Sequence, residues 1–164
     1  MEHLFRGNSL GRVEADGRVR LPEFVTRVIE RRSDARAALF GAHESDPCLT
    51  GYDLEYPPLI QQDLDRRRLR EEAQGAPVEA HHARARRAFG FVEEADYDDR
   101  GEIVLPDMMR RRGRIEDLAL FVGTGGSFEI WNPHLACEAG DPALKALAEY
   151  RLGEGRSNQQ GDGT

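Results

Sequence analysis

The sequence predicts an α+β fold, mainly β, in which one small β-rich unit occurs twice in tandem and helices flank the pair. Two observations carry this. The stretch "VEADGRVRLPEFV", Val13 to Val25, returns as "YDDRGEIVLPDMM", Tyr97 to Met109, with Gly101 for Gly17, Leu105 for Leu21 and Pro106 for Pro22. Around both copies the elements follow one order: extended segment, glycine turn, short alternating strand, proline-led helix, apolar strand, polar turn, closing strand. The return is not faithful, since Glu102 stands where the first copy has Arg18.

Each copy opens on an extended segment, "NSLGRVE" and "FVEEADY". Asp16-Gly17 then predicts a two-residue type I′ hairpin, whose central positions both need φ > 0, and Arg100-Gly101 keeps the glycine. In the next strand Val19 and Leu21 face one way with Arg18 and Arg20 opposed; Ile103 and Leu105 match them, with Glu102 and Val104 opposed. Pro22 and Pro106 end these strands and open helices, where a missing N–H costs nothing and Glu23 or Asp107 suits the positive end of the dipole. Phe24, Val25, Val28 and Ile29 form the first helix's apolar stripe. Met108, Met109 and Arg112 repeat it until Gly113 intervenes, so the second helix is short.

Apolar strands "AALFG" and "LALFVG" and closing strands "CLTGYD" and "SFEIWN" complete the two units, placed at 5–64 and 89–138, with Tyr52 and Trp131 at equivalent ends. Helices read from "PPLIQQDLDRRRLREEAQ" and "VEAHHARARRAF" fill the connection, with 65–88 as the linking segment. A further amphipathic helix occupies 139–152. The tail 153–164 has too little apolar surface to offset its ordering entropy and is expected to be disordered.

A chain of 164 residues suits one compact domain or two small fused ones, able to bury a core without a metal or disulfide. With 39% hydrophobic and 32% charged residues it falls among soluble globular proteins. No apolar run approaches the roughly 20 residues of a bilayer span, and the start "MEHLFRGN" lacks a basic and then apolar leader, so the expected location is the cytoplasm. Cys48 and Cys137 sit in no metal-ligand spacing and read as reduced thiols. The net charge of −7 argues against indiscriminate nucleic-acid binding, yet a local basic face depends on distribution, not on the total.

Arg12, Arg18 and Arg20 surround the first turn, and two readings stand. They are a solvated strand face paired with Glu14 or Asp16, or they arm a two-stranded ribbon of a shape that fits a major groove, where an arginine fork grips a phosphate or a guanine edge. Arg6 is a lesser candidate, since it could equally pin the amino-terminal strand. The second copy carries Glu93, Glu94, Asp96, Asp98, Asp99 and Glu102, which would repel phosphates; the first unit alone is therefore expected to meet DNA, with the second as the structural half. "DRRRLREE" and "ARARR" are interleaved with acids and read as a solvated helix surface or a charged seam between subunits. His81 and His82 diverge by about 100° on a helix with no third ligand in reach. "GTGG", Gly123 to Gly126, lacks the Lys-Ser/Thr of a phosphate loop and reads as a hairpin turn. No nucleophile or shaped pocket is legible, so no enzyme activity, cofactor, metal or small-molecule ligand is expected.

The two frames ending in Gly-x-[Val/Ile]-x-Leu-Pro, together with "FRG" at Phe5 to Gly7 and "FEIWN" at Phe128 to Asn132, resemble the paired domains of the MraZ family, in the AbrB-like swapped-hairpin group of DNA-binding proteins. The resemblance runs from about Phe5 to about Glu138. It implies tandem AbrB-like units interlocked as a pseudo-symmetric swapped-hairpin barrel, in chains that assemble into rings. It also implies a nucleoid-associated transcriptional regulator, generally a repressor, binding short direct repeats in double-stranded promoter DNA upstream of the division and cell-wall gene cluster. The family's turn reads Asp-x-x-Gly-Arg; its arginine is matched by Arg18, which the resemblance makes the central DNA contact, with Arg20, Arg12 and Arg6 supporting. Here Glu14 replaces the leading Asp, Asp16 sits where a lysine is common, and Glu102 replaces the second arginine. One such turn neutralises few phosphates, so this mechanism requires a homo-oligomer whose repeated turns raise the effective concentration. The rival is a ring-forming interaction protein that kept the fold and lost DNA binding; an AbrB-like antitoxin is a third reading, disfavoured by the short polar tail.

Overall fold

The computed structural model describes residues 3–161. Its apolar strands β3 (Ala37–Ala42) and β7 (Leu118–Gly123) each fold back on a closing strand, β4 (Leu49–Tyr52) and β8 (Phe128–Trp131). β4 and β8 then pair with each other, fusing the two hairpins into one sheet. The opening strands cross over: β1 (Asn8–Arg12) lies on β7 of the second unit, and β5 (Val92–Asp96) on β3 of the first. The result is a six-stranded antiparallel sheet in the order β1-β7-β8-β4-β3-β5, with each unit lending its outermost strand to the other. The α+β class is what the sequence predicts, but the fold is not mainly β: among the described residues the helices hold more of the chain than the strands, because the connection and the carboxyl-terminal segment are largely helical.

The strands after the glycine turns exchange as well. β2 (Arg18–Arg20) and β6 (Glu102–Val104) form a separate two-stranded antiparallel ribbon, with Arg18 opposite Val104, Val19 opposite Ile103 and Arg20 opposite Glu102. Leu21 N–H donates to Gly101 O at 2.8 Å and Leu105 N–H to Gly17 O at 3.0 Å, so each turn is bonded to the end of the other unit's strand.

The two-residue type I′ hairpin expected at Asp16-Gly17 does not form. Gly17 N–H donates to Glu14 O and Glu14 N–H to Arg18 O, closing a loop over Ala15, Asp16 and Gly17. Only the glycine is left-handed there, at φ 93°, because among the described residues Arg114 is the one non-glycine with positive φ. Past this loop β1 and β2 part company. The reason is burial: strands this short gain stability by pairing across the copies, which covers Val19 and Ile103 together.

Helix α1 (Glu23–Arg32) buries Val25, Val28 and Ile29 beneath the sheet, and the short α4 (Asp107–Arg112) buries Met109 before stopping at Gly113. Phe5, Phe40, Phe121 and Phe128 fill the centre; the Phe128 ring meets those of Phe5 and Phe40 at 5.1 and 6.3 Å. At the core's edge Arg32 donates to Asp53 at 3.0 Å and to the Gly126 carbonyl at 2.8 Å, and stacks on Phe5. Both partners of that ion pair are almost wholly buried.

Between the units run α2 (Pro57–Ala73), α3 (Val78–Ala85) and a π-helical turn over Arg86–Gly90. α2 passes through the boundary expected at 64/65. A second cluster of Leu120, Trp131, Ala136 and Ala148 lies under α5 (Pro133–Ala139) and α6 (Pro142–Gly161). The sequence reading has no helix at α5, although Asn132 caps it by accepting from His134 and Leu135 N–H. α6 continues through much of the tail expected to be disordered, because each further residue adds a hydrogen bond to a helix already nucleated by its packed first turns; the residues after Gly161 lie outside the described ones. Among the described residues no helix is long and apolar enough to cross a membrane.

Candidate nucleic-acid interface

Strand alternation gives the β2–β6 ribbon an inner face of Val19 and Ile103 and an outer face of Arg18, Arg20, Glu102 and Val104. All four outer side chains are exposed, Val104 at 54%. Asp16 Oδ1 accepts the Arg18 backbone N–H at 3.1 Å and Oδ2 accepts Arg18 Nε–H at 3.0 Å. Arg18 is thus gripped at the inner nitrogen of its guanidinium and stays 58% exposed; among the described residues its two terminal nitrogens have no partner. The Arg18 N–H, and then the Arg18 charge, hold the Asp16 carboxyl below the usual aspartate range.

In the second turn Asp98 Oδ1 accepts both Arg100 and Glu102 N–H at 2.9 Å. Those bonds, with Glu102 N–H first, lower the Asp98 carboxyl, and the charges of Arg100 and Arg20 add to them. Asp98 therefore ties its own loop. In the first turn the equivalent Glu14 does not; Asp16, two residues later, takes over. The acidic residue where a lysine is common is a turn cap that also aims the arginine.

The other predicted residues are dispersed. Arg12 is exposed at the end of β1, a strand whose backbone passes the ribbon at Gly11, where a Cβ would lie 3.6 Å from the Val19 side chain and 3.8 Å from the Arg20 carbonyl. Arg6 is exposed beyond the other end of β1, a strand roughly 13 Å long at about 3.3 Å per residue, and does not join this face. Of the second copy's acids, Glu93, Glu94 and Asp96 are on edge strand β5, whereas Glu102 stands directly opposite Arg20. The face that carries Arg18 is shared by both copies, because the strands are exchanged.

Arg110, which sequence reasoning missed, braces this face from behind. It donates to Ile115 O at 3.1 Å, Ala15 O at 2.9 Å and Glu116 O at 2.9 Å, clamping α4 of the second unit to the first turn. The "MRRRG" run signals a basic helix end, but nothing in it says which of three arginines turns inward.

Among the described residues one cluster offers metal-ligand types, His43, Cys48 and Glu129, whose donor atoms lie within 4.8 Å of one another. It does not fit a cation. His43 Nδ1 accepts N–H from Ser45 at 3.2 Å and Asp46 at 3.0 Å, where a metal-bound imidazole would present its own N–H to an acceptor. Nε2 therefore carries the proton toward Glu129 at 3.3 Å, and Glu129 also takes the Trp131 indole N–H. Burial, and then the Glu129 and Asp46 charges, push the Cys48 thiol up and away from thiolate. A cavity of 340 Å³ between this side of the sheet and α2 and α3 is lined by three arginines: Arg67 pairs with both oxygens of Glu44 at 3.1 and 2.9 Å, Arg87 reaches the Glu44 carbonyl at 3.4 Å, and Arg84 pairs with Glu71 while its buried Nε finds no partner among the described residues. "GTGG" forms the β7–β8 hairpin connection.

No family model matches the chain. Curated relatives do. It is 30% identical over 128 residues to the transcriptional regulator MraZ of Syntrophobacter fumaroxidans, covering 78% of this chain and 79% of that one. The transcriptional regulator MraZ of Gluconacetobacter diazotrophicus is 26% identical over 159 residues, covering 96% and 89%, and that of Pasteurella multocida 26% over 155 residues, covering 92% and 95%. The duplicated, strand-exchanged chain belongs to the MraZ family of transcriptional regulators.

Proposed function

We propose that the chain is a sequence-specific regulator that binds double-stranded promoter DNA through the outer face of the β2–β6 ribbon, with Arg18 as its central contact and Arg20 and Arg12 beside it. Arg6 stands apart and acts, if on DNA, on a flanking phosphate. One observation carries this reading: the Arg18 guanidinium is held only at Nε by Asp16 and turns its fork to solvent from a two-stranded ribbon. The strand exchange supports a swapped-hairpin reading of the fold. Because one ribbon meets few phosphates, the working form is a homo-oligomeric ring on direct repeats, acting in the cytoplasm at the nucleoid, with repression of the division and cell-wall gene cluster as its output.

A second reading, an interaction ring that no longer binds DNA, draws on Glu102 facing Arg20 and on Asp16 holding Arg18. Fluorescence anisotropy on a duplex with tandem promoter repeats, over a salt series, separates the two. The regulator gives a log affinity that falls linearly with log salt, and Arg18→Ala weakens binding about tenfold or more and flattens that slope by about 1. Absence of binding at low salt by a particle of native mass would establish the interaction ring instead.

A further inference from the structure

We propose that Arg20 and Glu102, facing each other across the ribbon, read one G·C base pair: Arg20 donates to guanine N7 and O6 while Glu102 accepts from the cytosine N4 amino group. The inference rests on the DNA-binding reading above and says what its most awkward residue does.

Glu102 is a difficulty only if the ribbon abuts phosphates. A carboxylate there would repel the backbone, and the site would carry one arginine's worth of attraction cancelled at its centre. Turned to the floor of a major groove, the same carboxylate meets base edges, and these include donors. The G·C edge presents acceptor, acceptor and donor in sequence, from guanine N7 through O6 to cytosine N4. The cross-strand pair presents the complement, a forked donor from Arg20 beside an acceptor from Glu102. Directly opposed side chains on antiparallel strands lie about 4.5–5.5 Å apart, a separation that fits one base pair's edge. Adenine also offers an amino group, but its neighbouring N7 would repel the carboxylate, so cytosine is the selective partner.

The geometry leaves both groups available. The Glu102 backbone is anchored, its N–H to Asp98 Oδ1 and its carbonyl to Asp98 N–H, so the strand that aims the side chain is fixed. Among the described residues no hydrogen bond or ion pair engages the Glu102 carboxylate. The opposite pair on the same face, Arg18 and Val104, is displaced by two residues along each strand, roughly 6.8 Å, about two base-pair rises. Its exposed Val104 gives the ribbon an apolar end, of the kind that contacts a thymine methyl, which would fix the register in which the Arg20–Glu102 pair meets its base pair.

The test uses the full chain in its native assembly. A duplex pool with randomised positions is selected on the wild-type protein, and the selected sequence is then altered one base pair at a time against wild type, Glu102→Ala and Glu102→Gln, with thermal melts of each protein as a folding control. The expected result is one G·C pair whose change to A·T costs the wild type on the order of a hundredfold and Glu102→Ala on the order of tenfold, the remainder being the grip of Arg20 on guanine, while Glu102→Gln tolerates adenine in place of the cytosine, because its amide pairs with adenine N6 and N7. If Glu102→Ala binds all sequences more tightly with an unchanged base preference, the carboxylate is a repulsive charge and the inference is overturned while DNA binding stands. If the wild type selects nothing, or Arg18→Ala binds as the wild type does, the underlying reading falls and this one with it.

Discussion

The two glycine turns share a skeleton and differ in everything they show to solvent. In each, the N–H at one end, of Glu14 or Asp98, donates to the carbonyl of the strand residue at the other, Arg18 or Glu102, and the carbonyl of that same first residue accepts from the N–H of a left-handed glycine. In each, that glycine's carbonyl accepts from the leucine that ends the other copy's strand. Yet the first loop is tied by Asp16 and the second by Asp98, and the residue so placed is a cation in one and an anion in the other. The comparison separates two demands on one motif. Folding requires the glycine, the leucine and a short acid somewhere in the loop; it is indifferent to the sign of the outward side chain, which is free for recognition.

The largest break in that equivalence comes from the glycines. A Cβ at Gly17 would lie 3.2 Å from Leu105 O, and one at Gly101 3.3 Å from Leu21 O, both at positive φ. Gly17→Val and Gly101→Val are each expected to cost about 2–3 kcal/mol, and thermal melts should fall by roughly 5–10 °C in both. A Gly101 variant that melts like the wild type while the Gly17 variant does not would show that only one turn carries the interlock. The next effect is on recognition. Glu102→Arg makes the two turns present the same charge, so binding to non-specific duplex should strengthen several-fold and the log-log salt slope steepen by up to about 0.9, while the like charge set opposite Arg20 lowers the melting temperature by roughly 1–3 °C.

The smallest effect is on acid stability. Both loop carboxyls are held below the ordinary aspartate value of 3.8, Asp16 chiefly by the Arg18 N–H and Asp98 chiefly by the Glu102 N–H. A depressed folded-state value stabilises the fold above that ordinary value, and the contribution disappears as pH falls through the lowered one. Asp16→Asn and Asp98→Asn keep an acceptor and discard the charge, so their denaturant midpoints should depend less steeply on pH below about 4 than the wild type's. An unaltered acid limb in either variant would mean that loop's acid is not what ties it.

Much of this was legible in the residues. The repeated glycine, leucine and proline gave the turns, the inward faces and the starts of α1 and α4, because each is a local demand on backbone geometry. Partner choice was not legible. Alternation says that Val19 and Ile103 point inward, but it is silent on whether β2 lies against β1 or against β6, and that choice is decided by burial among distant segments. The same gap hid Glu102's position opposite Arg20, since the two are neighbours only once the strands have exchanged. Asp16 was visible as a departure, not as a cap, because its partner is the N–H of a residue whose conformation the loop itself creates. Arg110 went unseen for a simpler reason: all three arginines of its run suit a helix end equally.

The exchange of strands also bears on how such a chain comes off the ribosome. When only the amino-terminal half has emerged, β1 and β2 have no mates, and both flanks of the β3–β4 hairpin are bare, because every one of those partners is still to be translated. The nascent half is an array of open edges that must wait for its sequel. A message cut short in the middle therefore yields no half-strength product but a sticky fragment, and only completed synthesis releases a finished molecule.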